Sequence, residues 1–192
     1  MITAIILAAG ESKRMGEPKM LLPWGRSTVL QTVVSTFQAA GVDEVLVVTG
    51  AGREQVEMLI GRSVQTAFNA GYAQGEMLSS IHVGLAAKMR EANAALIGLG
   101  DQPQVQLKTV QRLLQARIQT GASIIVPSHQ KHRGHPWLVA RPHWEEILAM
   151  QAPQTMRDFF KAHAREIVYI EVDNPSVLAD LDTPDDYLKY RT

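Results

Sequence analysis

Short, uniformly apolar runs alternate along this chain with longer stretches in which apolar residues return every three or four positions. Ile5-Ile6-Leu7, Glu44 to Thr49, Val64 to Phe68, Ala94 to Leu99, Ala122 to Pro127, Trp137 to Ala140 and Glu166 to Val172 are runs of strand type. Unbroken apolarity, as opposed to strict alternation, is the mark of strands covered on both faces. Between them, Val29, Val33, Val34, Phe37 and Ala40 predict a helix opened by a Thr28/Gln31 capping box and stopped at Gly41. Val56, Leu59 and Ile60 predict a second helix, and Leu107, Val110, Leu114 and Ile118 an amphipathic one ending near Gly121. Residues 143–150 read as helical, Thr155 to Asp158 open a further helix carrying Phe159 and Phe160, and Thr183 with Pro184 starts the last. This strand–helix rhythm predicts an α/β, three-layer α/β/α fold. Its sheet is mostly parallel and twisted, its N-terminal half is Rossmann-like, and ligands gather at the carboxyl ends of the strands.

Composition narrows the partners. A length of 192 residues suits one domain, spanning 1–192, with 46% apolar and 20% charged residues. Its 19 basic residues balance 19 acidic ones, which argues against nucleic acid or an anionic membrane as partner while allowing a local basic pocket. The absence of cysteine excludes disulfides, thiolate metal sites and a cysteine nucleophile. With no signal-peptide pattern and no apolar run near the ~20 residues of a spanning helix, the expected location is cytoplasmic.

Chemistry concentrates where strands end. After Ile5-Ile6-Leu7 the side chains shrink to Ala8, Ala9 and Gly10, and Lys13, Arg14 and Lys19 follow. Small residues admit close approach to the backbone, Gly10 can turn its amide toward an anion, and the cations suit a polyphosphate. Neither the G-x-G-x-x-G dinucleotide pattern nor the P-loop pattern is present, and an ordinary turn with solvated basic residues is the alternative. The segment from Asn69 through Gly75 to Ser80, rich in glycine and small polar residues, reads as a loop able to hold a base edge or as a plain surface connection. Asp101, at the end of the Ala94–Leu99 run, is a carboxylate facing the first loop or a turn former before Pro103. His129, His132 and His135 have a spacing that invites zinc, but they lie in a hairpin loop without helical periodicity. The cationic reading, with Lys131 and Arg133, is the better one.

Leu7-Ala8-Ala9-Gly10-Glu11-Ser12-Lys13-Arg14-Met15-Gly16, with Lys19 beyond, resembles the signature of nucleotidyltransferases that use an NTP and release pyrophosphate. The chain is most similar to the molybdenum cofactor cytidylyltransferases, relatives of the guanylyltransferases. The resemblance extends through Ser80-Ile81-His82-Val83-Gly84-Leu85, Asp101-Gln102-Pro103, Gly134-His135-Pro136, Thr155-Met156-Arg157 and Asp180 to Pro184, essentially the whole chain. It implies a nucleotide-diphospho-sugar transferase-like fold, with residues 1–104 binding nucleotide and 105–192 binding the acceptor. It implies Leu7, Ala8, Ala9, Gly10, Lys19, Asn69, Gly75 and Ser80 around the nucleotide, and Lys19, Arg14 and Asp101 in catalysis. Asp101 and Asp182 would hold Mg²⁺, for which Mn²⁺ is a possible substitute, and His135 and Arg157 would meet the acceptor.

The implied reaction moves CMP from CTP to the terminal phosphate of molybdenum cofactor. GTP as donor or another phosphorylated acceptor are the alternatives, and transient contact with molybdenum hydroxylases or their maturation factors is implied as well. Leu7-Ala8-Ala9-Gly10, where the guanylyl branch reads Leu-Ala-Gly-Gly, favours CTP. Asp180 lies outside the matched metal position.

Overall fold

The structure, a computed structural model, describes residues 1–74 and 77–191. Its strands are β1 (Ile2–Ala8), β2 (Pro23–Trp24), β3 (Ser27–Thr28), β4 (Glu44–Thr49), β5 (Gln65–Phe68), β6 (Ala94–Leu99), β7 (Ile124–His129), β8 (His132–Arg133), β9 (Trp137–Ala140) and β10 (Ile167–Glu171). Its helices are α1 (Val29–Ala39), α2 (Arg53–Ile60), α3 (Met77–Lys88), α4 (Leu107–Thr120), α5 (Trp144–Ala149), α6 (Met156–Ala162) and α7 (Pro184–Tyr190).

The main sheet runs in the order β10-β7-β9-β6-β1-β4-β5, with β8 hairpinned onto β7. β5, β4, β1 and β6 are mutually parallel, with the winding expected of a Rossmann-like half. β9 inserts antiparallel between β6 and β7, and β10 returns parallel to β7. Side chains alternate across a strand, so β1 serves both faces. Ala4, Ile6 and Ala8 join Leu30, Phe37, Val56 and Val110 in one buried cluster under α1, α2 and α4. Ile5 and Leu7 join Ile81, Leu85, Trp144 and Phe159 in the other, under α3, α5 and α6. These are the three layers that the apolar runs predict. At Gly84 the helix α3 comes so close to β1 that a Cβ would strike the Ile5 side chain, a tight approach that only glycine permits.

Three local expectations change. Thr28 does cap α1 by accepting from the Gln31 amide, but the Gln31 side chain donates to the Leu59 carbonyl, tying α1 to α2. On α4 the core-facing residues are Thr109, Val110, Leu113, Leu114 and Ala116, and Ile118 is 81% exposed. A period of 3.6 accumulates drift, so a match at every fourth position walks off the buried face by the third turn. In the 69–80 segment the loop is shorter than expected, because α3 begins at Met77 and takes Ser79 and Ser80 into its first turn. Gly75 lies outside the described residues.

Candidate active site

The loop between β1 and the short 3₁₀ turn at Lys19–Leu21 is shaped by where its apolar residues can go. Ser12 adopts φ 54° and Gly16 φ 79°, and the Met15 and Gly16 amides both donate to the Ser12 carbonyl. This reverses the chain so that Met15 drops into a satellite core with Leu22, Trp24, Val29 and Leu181. Leu181 is the link between chain ends. In the extended run Asp180-Leu181-Asp182 the leucine points into that core and the two aspartates point away from it, with the Leu181 amide donating to the Asp101 carbonyl at 3.2 Å. Asp182 thereby meets Arg14 at 2.8 Å, and Asp101 and Asp182 converge on the same ammonium, that of Lys19. The Lys19–Asp182 separation is 3.3 Å, and the Lys19–Asp101 contact is closer still. The Lys19 amide in turn donates to the Ser12 hydroxyl at 3.3 Å.

Burial alone would lower the Lys19 pKa, but Asp101 and then Asp182 outweigh it and hold the ammonium above its ordinary value. Lys19 is a fixed positive charge. Asp180 behaves oppositely: loss of solvent around its carboxyl, then repulsion from Asp101 and Asp182, raises its pKa, although the residue as a whole remains exposed. A hydrogen bond from Gln102 Nε2 at 2.7 Å and the Lys19 charge work against that rise.

These groups border a cleft of about 270 Å³ whose walls include Leu7, Ala9, Gly10, Lys19, Ser80 and Asp101. Asp180 and Asp182 close one side, and Tyr72, Met77 and Leu99 complete it. Gly50 sits behind: a Cβ there would collide with the Ala9 carbonyl and with Tyr72, so glycine lets the two walls meet. Three expected residues are not in these walls, and of them Arg14 reaches the cluster through its ion pair with Asp182. Ala8 turns its methyl into the opposite core with Ile6, as strand alternation demands. Asn69 is buried beneath the floor, donating to the Ser79 and Ser80 hydroxyls at 2.9 and 3.0 Å and accepting from the Gly71 amide, which fixes Ser80 without exposing Asn69 itself. A cavity of about 360 Å³ opens on the far side of the Gly10–Pro18 loop, against the start of α2. It holds none of Lys19, Asp101 or Asp182, so the convergent charges belong to the first cleft.

Met77, Leu99 and Asp180 also line a larger neighbouring cavity of about 780 Å³. Here β9 contributes Trp137, the cis His135–Pro136 element precedes it, and α6 brings Arg157, Phe160 and Lys161. His135 stacks on Trp137 with centroids 4.0 Å apart, and Trp137 meets Phe160 edge-on at 4.8 Å. Burial pushes the His135 imidazole down to about 3, so it is neutral. Its Nε2 and the Trp137 Nε1–H are shut from solvent and, among the described residues, have no partner. A buried donor or acceptor left in this state costs free energy that a ligand recovers. Arg133, Arg157 and Lys161 rim the cavity, and among the described residues none of them is in an ion pair. The histidines of the hairpin are dispersed: His129 and His132 bond to backbone carbonyls at Val172 and Gln130, while His135 faces the cavity. Gln130 and Lys131 take φ 49° and 67° at the tip of a tight two-residue turn.

Each cavity draws on both halves of the chain. The first cleft needs Asp180 and Asp182, and the larger cavity needs Met77, Leu78 and Leu99. Asp180, Tyr72 and Trp137 escape a reading by motif. The signal for Asp180 was available in its i, i+2 relation to Asp182 across a buried leucine.

Residues 4–167 match the MobA-like NTP transferase domain. The chain is 32% identical, over 97% of its own length and 94% of the relative's, to the molybdenum cofactor cytidylyltransferase of Escherichia coli (strain K12). It is 34% identical, over 72% of its length and 70% of the relative's, to nicotine blue oxidoreductase of Paenarthrobacter nicotinovorans. Among solved structures, Rv0371C of Mycobacterium tuberculosis H37Rv in complex with manganese superposes with a TM-score of 0.80 at 26% identity, covering 98% of this chain and 96% of that one.

Proposed function

The chain belongs to the MobA-like NTP transferase family, and from that premise we propose that it transfers CMP from CTP to the terminal phosphate of molybdenum cofactor, releasing pyrophosphate. The observation that carries this reading is the pairing of two joined cavities. One is centred on Lys19, Asp101 and Asp182, and the other has an aromatic wall, two unpartnered buried ring nitrogens and a rim of three unpaired cations. The first suits a metal-bound triphosphate, the second a flat heterocycle with a phosphate.

Two carboxylates converging on one cation are a hard, anionic donor set of the kind Mg²⁺ takes with substrate phosphates, so the residues fit a divalent ion. When bound, that ion supplies charge neutralisation for the triphosphate. Asp101 and Asp182 would hold it, and the manganese in the Mycobacterium structure supports a divalent ion in this family. Lys19 keeps a positive charge beside the phosphates, and Arg14, 72% exposed at its side chain and held by Asp182, can swing to the leaving pyrophosphate. Gly10 presents its amide, and Leu7, Ala9 and Ser80 border the base. Arg157 and Lys161 receive the acceptor phosphate. One of its oxygens forms the new bond to the α-phosphorus as the bond to pyrophosphate breaks. A phosphate monoester has a second pKa of about 6 and is already ionised, so no general base is required. The work is positioning and neutralisation.

Preference for CTP is supported by the Ala9 methyl, packed where Gly50 and Tyr72 meet, which takes up space a purine would need. The oxidoreductase relative makes a redox reaction the second reading, since one fold hosts several chemistries. The absence of the glycine dinucleotide fingerprint and the presence of the Lys19 cluster weigh against it. The test is pyrophosphate release with CTP and with GTP, each with and without molybdenum cofactor, beside a pyridine-nucleotide oxidation assay. Release dependent on acceptor and faster with CTP is expected, and Ala9→Gly narrows that preference by no more than roughly 10- to 200-fold. Equal use of GTP refutes the cytidylyl assignment, and oxidation without release refutes transfer.

A further inference from the structure

Away from both cavities, three elements of the C-terminal half bring nitrogen and carboxylate donors to one point. His143 ends the 3₁₀ turn before α5, His163 caps the end of α6, and Glu166 precedes β10. One ligand atom from each lies within 4.8 Å of the others. His163 Nδ1 is 2.7 Å from Glu166 Oε1, His143 Nε2 is 3.8 Å from Glu166 Oε2, and the two imidazoles stand at 74° with centroids 4.8 Å apart. On the opposite edge of the ring, Glu146 of α5 accepts from His163 Nε2 at 2.8 Å.

We propose that His143, His163 and Glu166, with Glu146 orienting the His163 ring from its far nitrogen, form a second metal site, selective for a zinc-class transition cation and separate from the divalent-ion site of the cleft. Donor chemistry decides the class. Imidazole with carboxylate is a zinc-type set, whereas Mg²⁺ prefers oxygen alone. Geometry agrees. Ligand bonds of 2.0–2.1 Å in a tetrahedron place the donors about 3.4 Å apart, and the Glu166 contacts here, 2.7 Å to His163 Nδ1 and 3.8 Å to His143 Nε2, straddle that spacing. A small rotation of the half-exposed Glu166 side chain opens the room a cation needs.

The histidines are prepared differently. His143 is buried and its pKa is lowered, first by burial and then by His163, so it offers a neutral ring whose Nε2 now bonds only to the Ser123 hydroxyl at 2.9 Å. The His163 imidazole is held above its ordinary pKa by the Glu166 hydrogen bond and, against burial, by Glu146. The structural consequence is a clip. Phe159 meets His143 edge-on and His163 at a tilt, while its neighbour Phe160 lines the larger cavity, so a cation here ties together the 3₁₀ turn, α6 and the start of β10.

The experiment is calorimetric titration of the full chain with zinc chloride in excess MgCl₂, with melting curves and Co²⁺ absorption on the same preparations. Expected are one zinc equivalent, a Tm rise of roughly 5–10 °C at zinc a hundredfold above Kd, and intense tetrahedral Co²⁺ bands. Glu166→Gln, whose side chain is off the packed core, and His163→Asn each weaken zinc binding at least about tenfold. Asp101→Asn, in the cleft, leaves it unchanged. Should His163→Asn fold poorly, Glu166→Gln alone decides. No zinc binding in excess Mg²⁺ overturns the proposal and leaves a His163-centred ion-pair network. Binding that survives Glu166→Gln or is lost in Asp101→Asn also overturns it. None of these readouts depends on turnover, so the proposal and the proposed transferase activity can fail independently.

Discussion

The two joined cavities solve opposite electrostatic problems. In the smaller cleft the Lys19 cluster is balanced internally: Lys19 is shared by Asp101 and Asp182 and Arg14 holds Asp182, while Asp180 at the edge accepts from Gln102 and has no ion pair among the described residues. The larger cavity is not balanced, because among the described residues Arg133, Arg157 and Lys161 stand unpaired and two ring nitrogens are buried without partners. A balanced cluster is stable when empty and must be rearranged by its ligand, whereas an unbalanced rim attracts an anion and yields stability only when it arrives. The first arrangement belongs where a metal and polyphosphate redistribute charge during reaction. The second belongs where a substrate is captured and oriented.

The strongest break of this contrast is at Asp101. Asp101→Asn keeps the shape of the cleft and removes a charge from the proposed metal site. We expect pyrophosphate release to fall roughly a hundred- to a thousandfold, with the far-UV spectrum unchanged. Activity within tenfold of the wild type at saturating Mg²⁺ removes Asp101 from the reaction. Next comes Lys19→Met, which leaves two carboxylates facing each other. Breaking a fully buried pair costs about 3–5 kcal/mol, but Asp182 keeps 32% of its side chain exposed, so a stability loss of about 1–3 kcal/mol is the discounted figure. If the two aspartates form one metal site, millimolar Mg²⁺ restores much of the lost Tm in Lys19→Met and little in the wild type. A loss that Mg²⁺ does not touch means the carboxylates do not act together. In the wild type the folded Lys19 pKa is raised above 10.5, so its stabilisation is complete below that pH and is lost only as alkaline pH passes the folded value.

How far the sequence announced these two regions differs for a physical reason. Strand ends were legible because uniform apolar runs stop abruptly, and with them Gly10, Asp101 and the layers on either side of β1. The convergence of Lys19 with both aspartates was legible only through resemblance, since it depends on Met15 and Leu181 sharing a satellite core across more than half the chain. Asp180 was set outside the metal position because motif matching weighs positions singly, while the Asp-Leu-Asp alternation brings both carboxylates to the cleft. Ala8 erred in the opposite direction: proximity in sequence to Leu7 and Ala9 is, on a strand, a reason to face elsewhere. Asn69 belongs to a kind of residue that spacing cannot reveal, acting through the Ser79 and Ser80 hydroxyls from beneath.

On the acceptor side the sharpening variant is Arg157→Ala. The side chain is exposed on α6, unpaired, and beside Lys161 on the cavity rim, so its loss leaves the fold intact. The acceptor KM should rise about tenfold, equivalent to ~1.4 kcal/mol, with kcat for saturating acceptor within threefold and the KM for CTP unmoved. A change confined to the CTP KM reverses the assignment of the two cavities.

The smallest effect is expected at Asp180, the residue both cavities share, and its sign is the informative part. Its folded pKa is raised by desolvation and then by Asp101 and Asp182, so the stability it contributes is complete below the unfolded value of 3.8 and is lost as pH rises through the folded one. At neutral pH the ionised carboxylate is therefore a net cost. Asp180→Asn removes that charge while keeping an oxygen to accept from Gln102 Nε2. In metal-free buffer at pH 7 the variant should melt slightly higher than the wild type, by about 2 °C or less given the exposure of the residue. The gain should shrink as pH falls toward 3.8, where both proteins carry a neutral group at this position. Adding Mg²⁺ sharpens the comparison: if Asp101 and Asp182 alone hold the ion, the variant keeps its small advantage and loses less than tenfold in turnover. If Asp180→Asn instead abolishes both turnover and the stabilisation by Mg²⁺, the proposed metal site has three carboxylates, and the boundary between the balanced and unbalanced cavities runs through Asp180.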